Sequence, residues 1–145
     1  MFGQREDGGE VEKDFLKRQV QQLVKALQRV LHLATVEQQQ EEADEALQRA
    51  ARASLKLELS FLSAVDPRSC AVILGSSDRI RSYARILRTQ AELLRLRGQE
   101  KESVDRLRRA WTLHEEAAQR MSPGEPLQEE DQQELALLQS QLGPR

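Results

Sequence analysis

Apolar positions recur along most of this chain every three to four residues, the period of one face of an α-helix. The clearest case spans residues 77–121. Ile80, Tyr83, Ala84, Leu87, Ala91 and Leu94 share one face, and Val104, Leu107, Trp111, His114, Ala118 and Met121 share another. Gly98 separates the two runs, where a residue of positive φ ends one helix and lets the chain reverse. The pattern therefore predicts an antiparallel helical hairpin over 77–121. A second is predicted over 12–57. Leu16, Val20, Leu23, Leu27, Val30, Leu31 and Ala34 form the stripe of a helix from Glu12 to Thr35. Phe15, Val24 and Leu33 fall off that stripe, which points to a helix packed on two sides. Gln38, Gln39 and Gln40 make a polar joint, or a corner without glycine. A helix from Glu41 to Leu57 follows, with Ala43, Ala46, Leu47, Ala50, Ala53, Ser54 and Leu57 inward.

Between the hairpins, residues 59–75 form the most apolar stretch. Asp66-Pro67 reads as an N-cap followed by Pro at the first helical position, where its missing N–H costs nothing. Gly75 is a stop. The expectation is an insert of two short helices, or one broken helix, over the ends of the longer ones. Residues 1–11 are polar, contain Gly3, Gly8 and Gly9, and are expected to be flexible. After Met121, Ser122-Pro123-Gly124-Glu125-Pro126 is a break, with Pro126 at a helix start. Leu127, Leu135, Leu138 and Leu142 give residues 122–145 a narrow stripe, which predicts a C-terminal capping helix or a detachable tail.

Composition agrees with an all-α fold. Only 3% of the 145 residues are aromatic, so the core must be Leu, Ala, Val and Ile. No alternating β-branched run or hairpin dipeptide argues for sheet. The length fits one domain, 12–121 with its C-terminal helix. One cysteine allows no internal disulfide and fits a reducing compartment. The N-terminal residues lack the apolar core of a signal peptide, and no apolar run approaches the ~20 residues of a membrane span. A cytoplasmic protein without membrane contact is expected.

The chemistry-bearing residues are sparse. His32 and His114 stand alone on their helices, and Cys70 lies in an apolar run, so no metal or cofactor is expected. No nucleophile elbow, phosphate loop or dinucleotide fingerprint is present. Glu115-Glu116 sits in polar surroundings that would not raise a carboxylate pKa for acid–base work. An enzyme, or a small-ligand binder using a cavity under the 59–75 insert, is the reading with least support.

Charge is distributed unevenly. Residues 79–109 carry ten basic and four acidic side chains, and residues 115–134 carry seven acids and one base, so the two surpluses of six cancel. Arg81, Arg85, Arg88, Glu92 and Arg95 share one helix face beside the apolar stripe. Three readings stay open: a solvated face, a face neutralised by the acidic C-terminal helix, or a ligand groove. The net charge of −2 and the lack of exposed stacking aromatics argue against nucleic acid.

Glu42-Ala43 and Leu47 to Ala50 match Glu102-Ser103 and Leu107 to Ala110 at an offset of 60 residues. The second hairpin resembles a tetratricopeptide repeat: Ala91, Ser103 and Ala110 match its small positions, Gly98 its turn, and Leu87, Leu94 and Leu107 its large positions. Leu replaces the usual aromatics, Gln90 replaces a Leu, and the offset departs from the repeat's ~34 residues. The resemblance implies hairpins stacked in a right-handed array. It implies a groove lined by Arg85, Arg88, Glu92 and Arg95, faced by Lys25, Gln28, His32 and Thr35 of the first helix. Such a groove suits an acidic peptide or a carboxylate. Asp14 to Val20 with Leu23, Ala26, Leu27, Val30 and Leu31 is also similar to the opening of a bacterial family of small helical proteins with no assigned function. The sequence thus leads to a non-enzymatic protein-interaction module with Arg81, Arg85, Arg88, Glu92, Arg95, Lys25 and His32 as its docking face. The alternative is a structural subunit that self-associates into a homo-oligomer through apolar helix faces.

Overall fold

One helix is enclosed by the others. In a computed structural model, which describes residues 2–143 and side chains from Asp14 onward, the chain forms seven helices. They are α1 (Phe2–Thr35), α2 (Gln40–Leu55), α3 (Leu59–Ser63), α4 (Pro67–Leu74), α5 (Ser77–Leu96), α6 (Glu100–Gln119) and α7 (Glu129–Leu142). No strand occurs among the described residues. Helix α5 packs most extensively on α6 and also touches α1, α2, α4 and α7. Every residue from Ile80 to Leu87 is consequently buried, polar ones included.

Local chemistry explains the breaks. The Ser76 hydroxyl accepts from the Arg79 N–H at 3.2 Å and starts α5. Asp66 Oδ2 accepts from the Ser69 N–H at 3.0 Å, with Pro67 in the first turn of α4. The insert is therefore two short helices. Gly98 has φ +78°, and its N–H and that of Gln99 close on the carbonyls of Arg95 and Leu94, both at 2.9 Å, so α5 turns into α6. The α1–α2 corner is made without glycine, by Gln38 at φ +55°.

Several boundaries and faces differ from those read in the sequence. Helix α1 begins at Phe2, so residues 2–11, expected to be flexible, continue it; Met1 lies outside the described residues. Extending a nucleated helix adds one hydrogen bond per residue, against a cost of about 1 kcal/mol for each glycine. Helix α7 begins at Glu129, not Pro126, with Gln128 as its N-cap. On α6 the buried stripe is Ser103, Leu107, Ala110, Leu113, His114 and Ala117, one position back from the expected face; Ala118 is exposed. The reason is the Ser103 hydroxyl, which donates to the Ala91 carbonyl at 2.7 Å and turns this small-residue edge toward α5. On α2, Ala51 and Leu55 are buried and Ala53 is exposed.

The insert is fixed by a cation. Arg109 of α6 donates to the carbonyls of Leu62, at 2.8 Å, and Val65, at the carboxyl end of α3 where the helix dipole favours positive charge. The same guanidinium lies 5.9 Å from the Tyr83 ring centre. Cys70 is fully buried beside it, and burial pushes its thiol pKa up. No helix among the described residues is long and apolar enough to cross a membrane.

Candidate functional site

Enclosing α5 decides the fate of its arginines. Four helical turns place Arg81, Arg85, Arg88 and Arg95 along one edge of the helix, and α7 lies across that edge. Arg85 is 6% exposed. It donates to Asp131 Oδ1 at 3.0 Å and lies 3.5 Å from Glu134 Oε1. Arg88 donates through Nε to Glu134 Oε2. Glu134, 3% exposed, thus bridges two guanidinium groups from beneath α7, beside the buried Leu138. These charge-assisted contacts are short, directional and shielded from solvent. One buried and one partly buried cation answered by two carboxylates come close to neutrality. Removing one partner from such a set typically costs ~3–5 kcal/mol unless the elements separate and rehydrate.

Arg81, 4% exposed, follows a different course. One guanidinium nitrogen lies 3.0 Å from His114 Nδ1, and another donates to Met121 Sδ at 3.3 Å. It makes no ion pair among the described residues; burial pushes its pKa down, partly offset by the carboxylates of Asp131, Asp78 and Glu125 at a distance. Burial, reinforced by the charges of Arg81, Arg85 and Arg88, pushes the His114 pKa down to about 3, so the imidazole is neutral. Burial, with the carboxylates of Asp131 and Glu125 nearby, lifts Asp78 above the usual carboxylate range.

The remaining candidates lie apart from this cluster. Arg95 and Glu92 pair with each other one turn apart on α5, and this hydrogen bond holds Glu92 below the usual carboxylate range. Lys25 and His32 are exposed on α1, and their side chains form no ion pair or hydrogen bond among the described residues. The face read from the sequence is therefore divided. Arg85 and Arg88 are engaged by α7, Arg81 by His114 and Met121, and only Arg95, Glu92, Lys25 and His32 stay at the surface. Sequence reasoning omitted Asp131, Glu134 and His114 from the site. A signal for the first two was present: Arg85 and Arg88 are three apart, as are Asp131 and Glu134, and both pairings span 46 positions. Nothing local marks His114.

Among the described residues no three of His, Cys, Asp and Glu stand together in a way that would hold a metal ion. No protein-family model, curated protein or solved structure matches this chain.

Proposed function

We propose that this protein is a non-enzymatic interaction module, tetratricopeptide-like in layout, whose Arg85–Arg88 edge is a seat for an acidic helix. In the isolated chain α7 occupies the seat. The observation that carries this reading is Glu134 buried between two guanidinium groups, with Asp131 on the first of them. The seat recognises carboxylates spaced one turn apart, and a partner helix presenting the same pair would satisfy it equally. Helix α7 is suited to release, because the glycine- and proline-bearing segment 122–128 joins it and it packs mainly on α6 with a smaller contact on α5. The repeat-like layout is supported by α5 packing on both α1 and α2, and by α7 packing on both α5 and α6. The buried Cys70 thiol, its pKa raised, suits a reduced structural cysteine in a cytoplasmic protein. The resemblance to a bacterial helical family adds the source we would expect.

A labelled peptide of residues 126–143 tests the reading. Glu134→Lys in the full chain reverses the central charge and frees the seat. The peptide should then bind the variant with at least about tenfold higher affinity than it binds the wild type, whose own α7 competes. Equal binding to both, or none to either with helicity intact, would remove the proposal. Self-association is the second reading, favoured by the exposed Leu137 on α7, since a second copy's helix could fill the same seat. Sedimentation at several concentrations separates the two: a monomer throughout leaves only a foreign partner.

A further inference from the structure

A helix that fills a seat is a template for whatever replaces it. The order of the ion pairs fixes how α7 lies. Asp131 meets Arg85, and Glu134, one turn on, meets Arg85 and then Arg88. The pairs advance together along both helices, so α7 runs parallel to α5. The longer stem of a glutamate suits the second place, where one carboxylate reaches two guanidinium groups. Beside the acids, Leu138 is fully buried, Leu135 is half-buried, and Leu142 packs against the core. Asp131, Glu134, Leu135, Leu138 and Leu142 thus form one stripe. Gln132, Gln133, Ala136, Leu137 and Gln139 are exposed.

Helix α7 is an incomplete occupant of this seat. Gln128 at its N-cap makes no side-chain cap hydrogen bond, whereas Asp66 and Ser76 cap α4 and α5. The first N–H groups of α7 therefore lack the acceptor that a Ser, Thr or Asp supplies. Its tether compensates, because a short flexible linker holds a helix at an effective concentration of about a millimolar. A rival has to bring something α7 lacks. We propose that the partner protein carries a capped helix of the α7 pattern and docks it parallel to α5. That helix has Ser, Thr or Asp at the place of Gln128 and an acid at that of Asp131. It has Glu at the place of Glu134 and leucine-sized apolar residues at those of Leu135, Leu138 and Leu142. The inference rests on the seat proposed above and names what the seat selects. A second copy's α7 carries the pattern without the cap and has no advantage over the tethered one.

Fluorescence anisotropy tests this on the full-length Glu134→Lys chain, with labelled peptides of residues 126–143. The parent peptide is compared with its reversed sequence and with one carrying Gln133→Glu and Glu134→Gln together. Both controls keep composition and charge; the first changes polarity and the second moves one carboxylate off the stripe. Each should bind at least about tenfold more weakly than the parent, as should a peptide with Leu138→Ala. Leu137→Gln should stay within about twofold, and Gln128→Ser should bind at least about threefold tighter. If the parent binds and either control binds equally, or Gln128→Ser gains nothing, this pattern is overturned while an acidic seat stands. If the parent fails to bind a folded chain, the seat and the pattern fall together.

Discussion

The neutral, buried His114 makes stability depend on pH. Its folded pKa of about 3 lies below the ~6.5 of an unfolded histidine. Its contribution is therefore fully present above pH 6.5 and is lost as pH falls toward 3, because only the unfolded chain takes the proton. The loss should reach a few kcal/mol, on the order of the pKa difference converted at ~1.4 kcal/mol per unit. Asp78 acts with the opposite sign. Its pKa is raised, so protonation favours the folded chain as pH falls through the carboxylate range. Urea midpoints between pH 7 and 4.5 report the two together, and His114→Gln, whose amide oxygen still accepts from Arg81, should remove the histidine's part and flatten the fall in stability. An unchanged slope would mean that the imidazole is solvated. Cys70 gives a second prediction. Fully buried with a raised pKa, it should resist a thiol-specific disulfide reagent in native buffer and react stoichiometrically in denaturant. Fast native labelling would show that the α3–α4 insert opens.

Helices declare themselves through short-range rules, and their packing does not. Asp66-Pro67, Gly75, Ser76 and Gly98 each act within four residues, so the ends of α4 and the α5–α6 turn were readable from the sequence. Gly98→Ala should cost about 1–2 kcal/mol in thermal denaturation, because a Cβ at that position meets open space and only the left-handed φ is strained. A loss below ~0.5 kcal/mol would show that the turn relaxes. What the sequence hid is long-range. The Arg face of α5 borders an apolar stripe, and the sequence leaves open whether it is solvated, a groove, or covered by the acidic C-terminal helix; at Arg85 and Arg88 it is covered, because α7, some 46 residues on, lies across them. The register of α6 was misread by one position for the same reason, since the Ser103 to Ala91 bond that sets it joins two helices. Arg81 and His114, 33 residues apart, share no local pattern at all.

For the whole molecule, the uneven charge read along the chain becomes an internal complement. The basic surplus of residues 79–109 and the acidic surplus of residues 115–134 meet at Arg85, Arg88, Asp131 and Glu134. The same interface borders an open cleft beside Arg81, which Leu135 of α7 and Leu127 just before it line. Released, α7 would expose two arginines and an apolar strip to a partner while α1, α2, α5 and α6 keep their mutual contacts. Local opening of this kind requires α7 to be held less firmly than the hairpins.

Hydrogen exchange followed by mass spectrometry on the full chain tests this account most directly. Peptides covering 129–142 should exchange faster than those of α5 and α6 in the wild type. In Glu134→Lys they should exchange faster again by at least about tenfold, with α5 and α6 unchanged outside the Arg85–Arg88 turn. Contradiction would come from α7 exchanging as slowly as α5 in both proteins, since the carboxylates would then not be what holds it.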